Sequence, residues 1–520
     1  MLGGALLAVV LAAVVIGAIL VESEPGDVSN SDVGFERGDD PSAVPQPAEP
    51  RRGAHPMDDG FSWPNYHLTR SRTGFLPLRR ELRPPFVEQW SVTGRILLEF
   101  PPVSCRRSLY LLKNNGALYK VSRLSGRVAW KRKLGYLAAS SPSCGGGSVY
   151  AALLAGRKGG PGRITAVDAK TGRTRWSKGL PSRAESSPLL ASGRLYFGTE
   201  DGTVYAMRAS DGAVRWKARA SGAVKGGLAL ARGRLIFGDY DGKVRAISRR
   251  DGHKLWESSS AGTKLGLRAG SFYGTPAVAY GRVYLGSLDG FVYSFGAADG
   301  RLAWRHKTGG YVYSSPAVAT VPRVGPTVYA GSFDGHLYAF DARSGDVRWR
   351  HDAGGRISGG PVVFGDLVFY SNLGRKSTTA LGAATGKRVW ATGRGAFNPA
   401  ISDGRRIYLN GYSSLFMLSS RRQARLDERA RRRLGRAAAA PRRQAERRAA
   451  ARERSRRRAI DRRVAARRAA VRRAIRLRRA GREVCFTRDG RKVCRIPRRL
   501  TCFKRGEGSA RRTVCRARRP

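Results

Sequence analysis

From Phe61 to about residue 420, short runs of alternating apolar and polar residues are separated by turn residues. One stretch reads TPAVAY, RVYLGS, FVYSFGA and RLAWRH between Thr275 and His306. Alternation of period two predicts half-buried strands, and Asp-Gly or Asn-Gly between two runs predicts a tight hairpin. Two other patterns frame this region. Residues 2–21, LGGALLAVVLAAVVIGAILV, carry no charge. Residues 421–481 are rich in Ala and Arg, with Ile460, Val464, Val471 and Ile475 on a narrow apolar stripe of helical spacing. Between the first run and Phe61, residues 22–60 are acidic and Pro-rich without periodicity, which predicts a disordered linker.

Tryptophan sets the register of the strand-rich part. Trp90, Trp130, Trp176, Trp216, Trp256, Trp304, Trp349 and Trp390 recur at intervals of 40 to 48 residues. Four positions before each of the last seven stands a glycine, from Gly126 to Gly386, preceded by Ser, Thr or Asp. Asn115, Asp201, Asp241, Asp289 and Asp334 each open a turn fifteen residues before one of these tryptophans. Four strands per repeat of this length describe one blade of a β-propeller, which buries both sheet faces only when blades close into a ring. Tryptophan on the outer strand fills the wedge between blades against a small residue of the neighbour, and the glycine permits the positive φ of the turn before that strand. The last unit, from Ala396 to Leu418, lacks a tryptophan strand, and FVEQWSVTG around Trp90 is a tryptophan strand without a blade. Joined, they predict an all-β, eight-bladed propeller over 61–420, latched by its N-terminal strand.

The apolar run 2–21 is long enough to cross a bilayer and lacks the basic lead and cleavage site of a signal peptide, so a single-pass anchor is expected. Flanking charge does not orient it: Arg37, Arg51 and Arg52 all follow it. The cysteines do. An Asp489-Gly490 turn places Cys485 opposite Cys494, and a Gly508-Ser509 turn places Cys502 opposite Cys515. Both pairs suit disulfides, and their spacing lacks the close cysteine pair of a zinc knuckle. Cys105 and Cys144 follow prolines at matching places in adjacent repeats, consistent with a disulfide between blades or with two buried thiols. Disulfides imply an oxidising compartment, hence a cell-membrane protein with an extracytoplasmic propeller.

The pattern A-x-D-x-x-[ST]-G-x-x-x-W, intact in Ala166–Trp176 and Ala339–Trp349, resembles the docking motif of the quinoprotein-type (PQQ-like) propellers. The opening WPNYHLTRSRTGFLPLRRELRPP, Trp63–Pro85, is similar to the lead-in of that family. The family contains pyrroloquinoline quinone (PQQ) dehydrogenases and non-enzymatic, BamB-like envelope scaffolds. The dehydrogenases imply a catalytic Asp, a calcium site and usually adjacent cysteines. No adjacent cysteines occur here, the blade carboxylates mostly belong to Asp-Gly turns, and no phosphate loop, nucleophile elbow or HExxH is present. The expectation is a non-enzymatic scaffold without cofactor. A PQQ-dependent dehydrogenase is the competing class, and a cytoplasm-facing nucleic-acid binder a third.

Two sets of residues precede the proline, or its equivalent, that opens each inner strand, and they alternate onto one face of the channel mouth. Three positions before it stand Glu185, Lys225, Tyr273 and Tyr313; five before it stand Arg183, Tyr311 and Arg356. They are the candidate contacts for an envelope protein, peptide or glycan, with solvated strand ends as the plainer reading. Net charge is +59, and residues 421–520 supply 40 Lys/Arg against 8 Asp/Glu. Pro441 is expected to break the Arg-rich segment into two helices, and 482–520 to form a double hairpin stapled by disulfides. Such a tail suits anionic lipid or a phosphate-rich wall polymer, or is an arm shaped by composition alone.

Overall fold

The computed structural model describes residues 26–36, 40–42, 44, 55–78, 82–261, 270–480, 484–495, 500–505 and 512–517. The expected membrane anchor, 1–21, lies outside them. Within them, eight antiparallel four-stranded units follow one another. Blade one comprises Val103–Cys105, Ser108–Lys113, Ala117–Ser122 and Val128–Lys133, and the later blades repeat this order. Blade eight takes Ala400–Ser402, Arg406–Asn410 and Leu415–Ser420 from the end of the ring, and Phe86–Val92 from its beginning. Met417 pairs with Trp90, so the strand expected to latch the ring does so.

Each outer strand carries a β-bulge beside its tryptophan, as where Ala166 pairs with Trp176 and Val167 with Thr174. In seven blades the indole Nε1–H donates to a backbone carbonyl of the next blade, for example Trp176 to Ala209 at 3.0 Å and Trp304 to Ala342 at 3.1 Å. The small residue beneath each ring proves to be the turn glycine itself. A Cβ added to Gly212, at φ +73°, would stand 2.7 Å from the Trp176 ring. Blade eight has no such turn, because its outer strand arrives from the other end of the chain. Phe86 occupies the equivalent place and meets Trp390 edge to face at 5.4 Å. In the intact motif, Asp168 accepts hydrogen bonds from the backbone N–H of Lys170 and Thr171, and so caps the turn.

Three expectations are corrected. Residues 22–60 are not a free linker throughout. Val28–Ser29 adds a strand to the outer edge of blade five, Val33 is buried, Phe35 stacks on Tyr280 at 5.1 Å, and Asp59 enters an ion network. Sparse apolar residues suffice here because the blades supply the rest of the interface. The propeller unit also extends past residue 420, to Arg431. Asp427 is buried and receives the Arg406 guanidinium at 2.5 and 2.7 Å. Finally, Pro441 does not interrupt the helix, which runs Arg421–Arg479. Proline removes one hydrogen bond, but the Ala and Arg on either side are strong helix formers.

Residues 432–520 form a second unit. Ile460, Val464, Val471 and Ile475 are each about half exposed on its helix. Val484–Arg488 and Arg491–Arg495 form the expected hairpin, with φ positive at Asp489 and Gly490 and a Cys485–Cys494 disulfide. Cys502 stands opposite Cys515 in the backbone register of Leu500–Arg505 with Arg512–Ala517. Their side chains and the Gly508-Ser509 turn lie outside the described residues.

Candidate binding site

The segment Trp63–Leu76 determines which end of the central channel is open. It travels around the ring and meets the innermost strands in sequence. Trp63 pairs with Ser104 of blade one, Pro64 O accepts from Cys144 N, and Asn65 Oδ1 from Leu190 N. Arg70, Ser71 and Thr73 then offer their carbonyls to Leu230, Val278 and Val318, and Gly74 to Val363. Seven blades are thus tied to one strand of chain. Arg72 points to the interior, fully buried, and donates to the carbonyls of Leu228, Tyr66 and Ser187 at 2.8 to 3.1 Å. Burial pulls its pKa down to about 9. Neighbouring His67 is held neutral, pushed down to about 3 by burial and by Arg72.

Tyr66, from the same segment, forms the floor of a cleft on the channel axis. Its hydroxyl donates to Asn398 at 2.8 Å, and Asn398 in turn donates to Glu99 O. Around this floor, side-chain oxygens accept backbone N–H groups from neighbouring blades: Ser187 from Ser141, Thr275 from Gly227, Ser315 from Thr275. The floor is therefore cross-braced and shaped before any ligand arrives.

The cleft has a volume of about 250 Å³, and four of the seven expected mouth residues line it: Glu185, Lys225, Tyr273 and Tyr313. Tyr273 donates to Glu185 at 2.6 Å, and Lys225 bridges Glu185 at 3.2 Å and Glu200 at 3.1 Å. Tyr273 and Tyr313 meet edge to face at 5.4 Å. The other three stand further out, as alternation requires. Arg183 reaches Glu200 at 3.3 Å, the Arg356 guanidinium lies 5.7 Å over the Phe333 ring, and Tyr311, 55% exposed, flanks Phe333 at the rim.

Sequence reasoning passed over Glu99 and Ser358, both on the cleft wall. The same spacing, three residues before Pro102 and Pro361, reaches them when it is carried to blades one and seven. It also passed over Glu200, Tyr240 and Phe333, each of which immediately precedes an Asp-Gly turn. Burial, and then Glu185, raise the Glu99 carboxyl, while an Asn114 amide hydrogen bond at 2.9 Å opposes the rise. Burial would lower Lys225, but Glu185 and Glu200 outweigh it and hold the ammonium above its usual range. Burial and the two carboxylates Glu185 and Glu99 raise the Tyr273 phenol.

These residues do not fit PQQ with calcium. No group of three His, Cys, Asp or Glu able to hold a metal occurs among the described residues. The cleft's own charged side chains are Glu99, Glu185 and Lys225, which would meet the carboxylates of the quinone with an excess of negative charge. Cys105 and Cys144 are joined to each other, linking the inner strands of blades one and two, and they lie outside the cleft.

A family model described as outer membrane protein assembly factor BamB matches residues 114–290, 160–392 and 262–426, together more than half of the chain. BamB from Moraxella catarrhalis is similar in structure, with TM-score 0.52 and 18% identity, over 64% of this chain and 99% of that one. The quinohemoprotein alcohol dehydrogenase ADHIIG of Pseudomonas putida superposes with TM-score 0.60 and 14% identity, over 72% of this chain and 83% of that one. The computationally designed Ika8 protein matches with TM-score 0.53 and 13% identity, over 64% of this chain and 99% of its own. Comparison with curated proteins finds no match. At these identities the structural likeness speaks for the fold alone.

Proposed function

This chain belongs to the PQQ-like propeller family of outer membrane protein assembly factor BamB, and from that premise we propose that it is a non-enzymatic scaffold that binds protein or peptide partners at its open channel mouth. The observation that carries this reading is the asymmetry of the channel. One side is occupied by Trp63–Leu76, while the other offers a pre-braced cleft rimmed by Tyr311, Arg183 and Arg356. Aromatic and arginine side chains at the rim of a concave site are the residue types that anchor protein interfaces. A PQQ-dependent oxidoreductase remains the competing reading, favoured by the dehydrogenase fold likeness and opposed by the donor set of the cleft.

Location is part of the proposal. The Cys105–Cys144 and Cys485–Cys494 disulfides support an oxidising, extracytoplasmic compartment. Among the described residues no helix is long and apolar enough to cross a membrane. A tether through residues 2–21 therefore rests on their sequence. The basic unit beyond Arg431 would hold anionic lipid or phosphate-rich wall polymer. The test is site-specific photo-crosslinking in the producing cell, with the probe at Tyr311 or, as control, at the exposed outer-strand residue Val214. Discrete adducts at Tyr311 alone are expected. Identical adducts at both positions, or none at Tyr311, would refute the mouth as the recognition surface.

A further inference from the structure

We propose that the axial cleft is a receptor for a single organic ammonium group on an apolar stem, such as the side chain of a partner's lysine. This deepens the scaffold reading and rests on it for the partner, but the chemistry stands on the cleft alone. Two carboxylates line it, Glu99 and Glu185, and a third, Glu200, is joined to it through Lys225. Lys225 is shared between Glu185 and Glu200, and Arg183 approaches Glu200 from the rim. The Glu99 carboxyl receives only the neutral Asn114 amide among the contacts described, and Glu185 is close enough to hinder its ionisation. A second cation in the cleft would relieve that repulsion. An anion would worsen it.

The walls suit the same guest. Tyr240, Tyr273, Tyr313 and Phe333 form a continuous aromatic chain, with centroid separations of 6.4, 5.4 and 4.7 Å. Lys225 already lies 5.2 Å from the Tyr240 centroid, so one end of this chain holds an ammonium in the protein itself. Tyr273, whose phenol is raised by both Glu185 and Glu99, and Tyr313 line the cleft as well, and among the described residues no cation is seen over either ring. Ring faces attract cations through their quadrupole, most strongly where water is excluded. Ser358 Oγ, on the wall, has no hydrogen-bond partner among the described residues and can accept one N–H. Gly226, Gly227, Gly274 and Gly360 contribute backbone to the wall, packed so closely that a Cβ on each would press on a neighbouring inner strand or on His67.

Isothermal titration of the full chain with benzylammonium, benzyl alcohol and benzoate tests this. The phenyl ring is common to all three, and benzylammonium and benzyl alcohol share the whole stem, so the difference between those two reports the charge. Benzylammonium should bind at least about tenfold more tightly than benzyl alcohol, and benzoate should not bind. Glu99→Gln keeps the shape and should weaken the ammonium about tenfold while leaving the alcohol unchanged; Tyr313→Leu should weaken both. Benzoate binding as well as the ammonium, absence of ammonium binding, or a Glu99→Gln variant that binds like the parent would overturn the proposal. Adducts missing from the Tyr311 crosslinking, with the ammonium preference intact, would instead remove the protein partner and leave a small-molecule receptor.

Discussion

Gly212 performs two tasks with one hydrogen atom: it takes φ +73° at the turn and lets the Trp176 ring of the preceding blade lie on its backbone. Gly212→Ala meets both obstacles. The left-handed conformation alone costs an L-residue about 1–2 kcal/mol, and the indole must also shift. A lower denaturation midpoint with an unchanged slope is expected; an alanine variant as stable as the parent would refute this account of the seam. The buried Asp403 is a second such point. Arg123 at 2.7 Å and Arg406 at 3.1 Å bind it, while Asp59 and Asp427 complete the network. Burial alone would raise its pKa, but the two guanidinium groups hold it well below the usual carboxylate range. Its stabilisation is therefore complete above the unfolded value of about 4 and disappears as pH falls through the depressed folded value. Asp403→Asn should cost about 1–3 kcal/mol at neutral pH, since it weakens the charged hydrogen bonds of the carboxylate that both guanidinium groups share while Asp59 and Asp427 still balance them. The loss should shrink in acid, and a pH-independent loss measured by urea melts between pH 7 and 3 would contradict the network. Glycine and tryptophan were legible in the sequence because they recur. Asp403 was not, for Arg123 comes from 280 residues away and Asp427 joins the network through Arg406, 21 residues before it, and no repeat marks them.

At the scale of elements, the latch and the strand inside the ring make the same statement about closure. Phe86–Val92 completes blade eight, and Trp63–Leu76 ties seven inner strands together. Deleting 61–92 removes both and should abolish the cooperative thermal transition; a truncated protein that melts like its parent would sink the closure. The latch was readable from an unpaired tryptophan strand at one end and a missing one at the other. The inner strand was not readable as a plug, because all but the Asn65 contact use backbone groups that any sequence carries. The docking of Val28–Ser29 and Phe35 escaped for a related reason: two or three apolar residues among acids make no period. Pro441 erred the other way, where a local rule yielded to the propensity of its neighbours.

For the whole molecule, charge divides between a neutral-to-acidic cleft and a strongly basic unit. The tail carries 40 Lys/Arg against 8 Asp/Glu from residue 421 onward, a density that favours anionic surfaces at about 1 kcal/mol per nearby basic residue. Comparing the full chain with a variant ending at Arg431 on phosphatidylglycerol vesicles should show tail-dependent binding that salt releases, since such contacts are screened over about 8 Å at physiological ionic strength. Equal binding by both proteins, or binding indifferent to salt, would deny the tail this role. The repeat pattern made the shape of the propeller evident, whereas its chemistry had to be read from one cleft where the repeat is broken. The most direct test of that chemistry is dye-linked alcohol and sugar oxidation by the full chain after incubation with PQQ and calcium. A scaffold with this cleft predicts no turnover above the protein-free background at any quinone concentration; turnover that saturates with PQQ would contradict it.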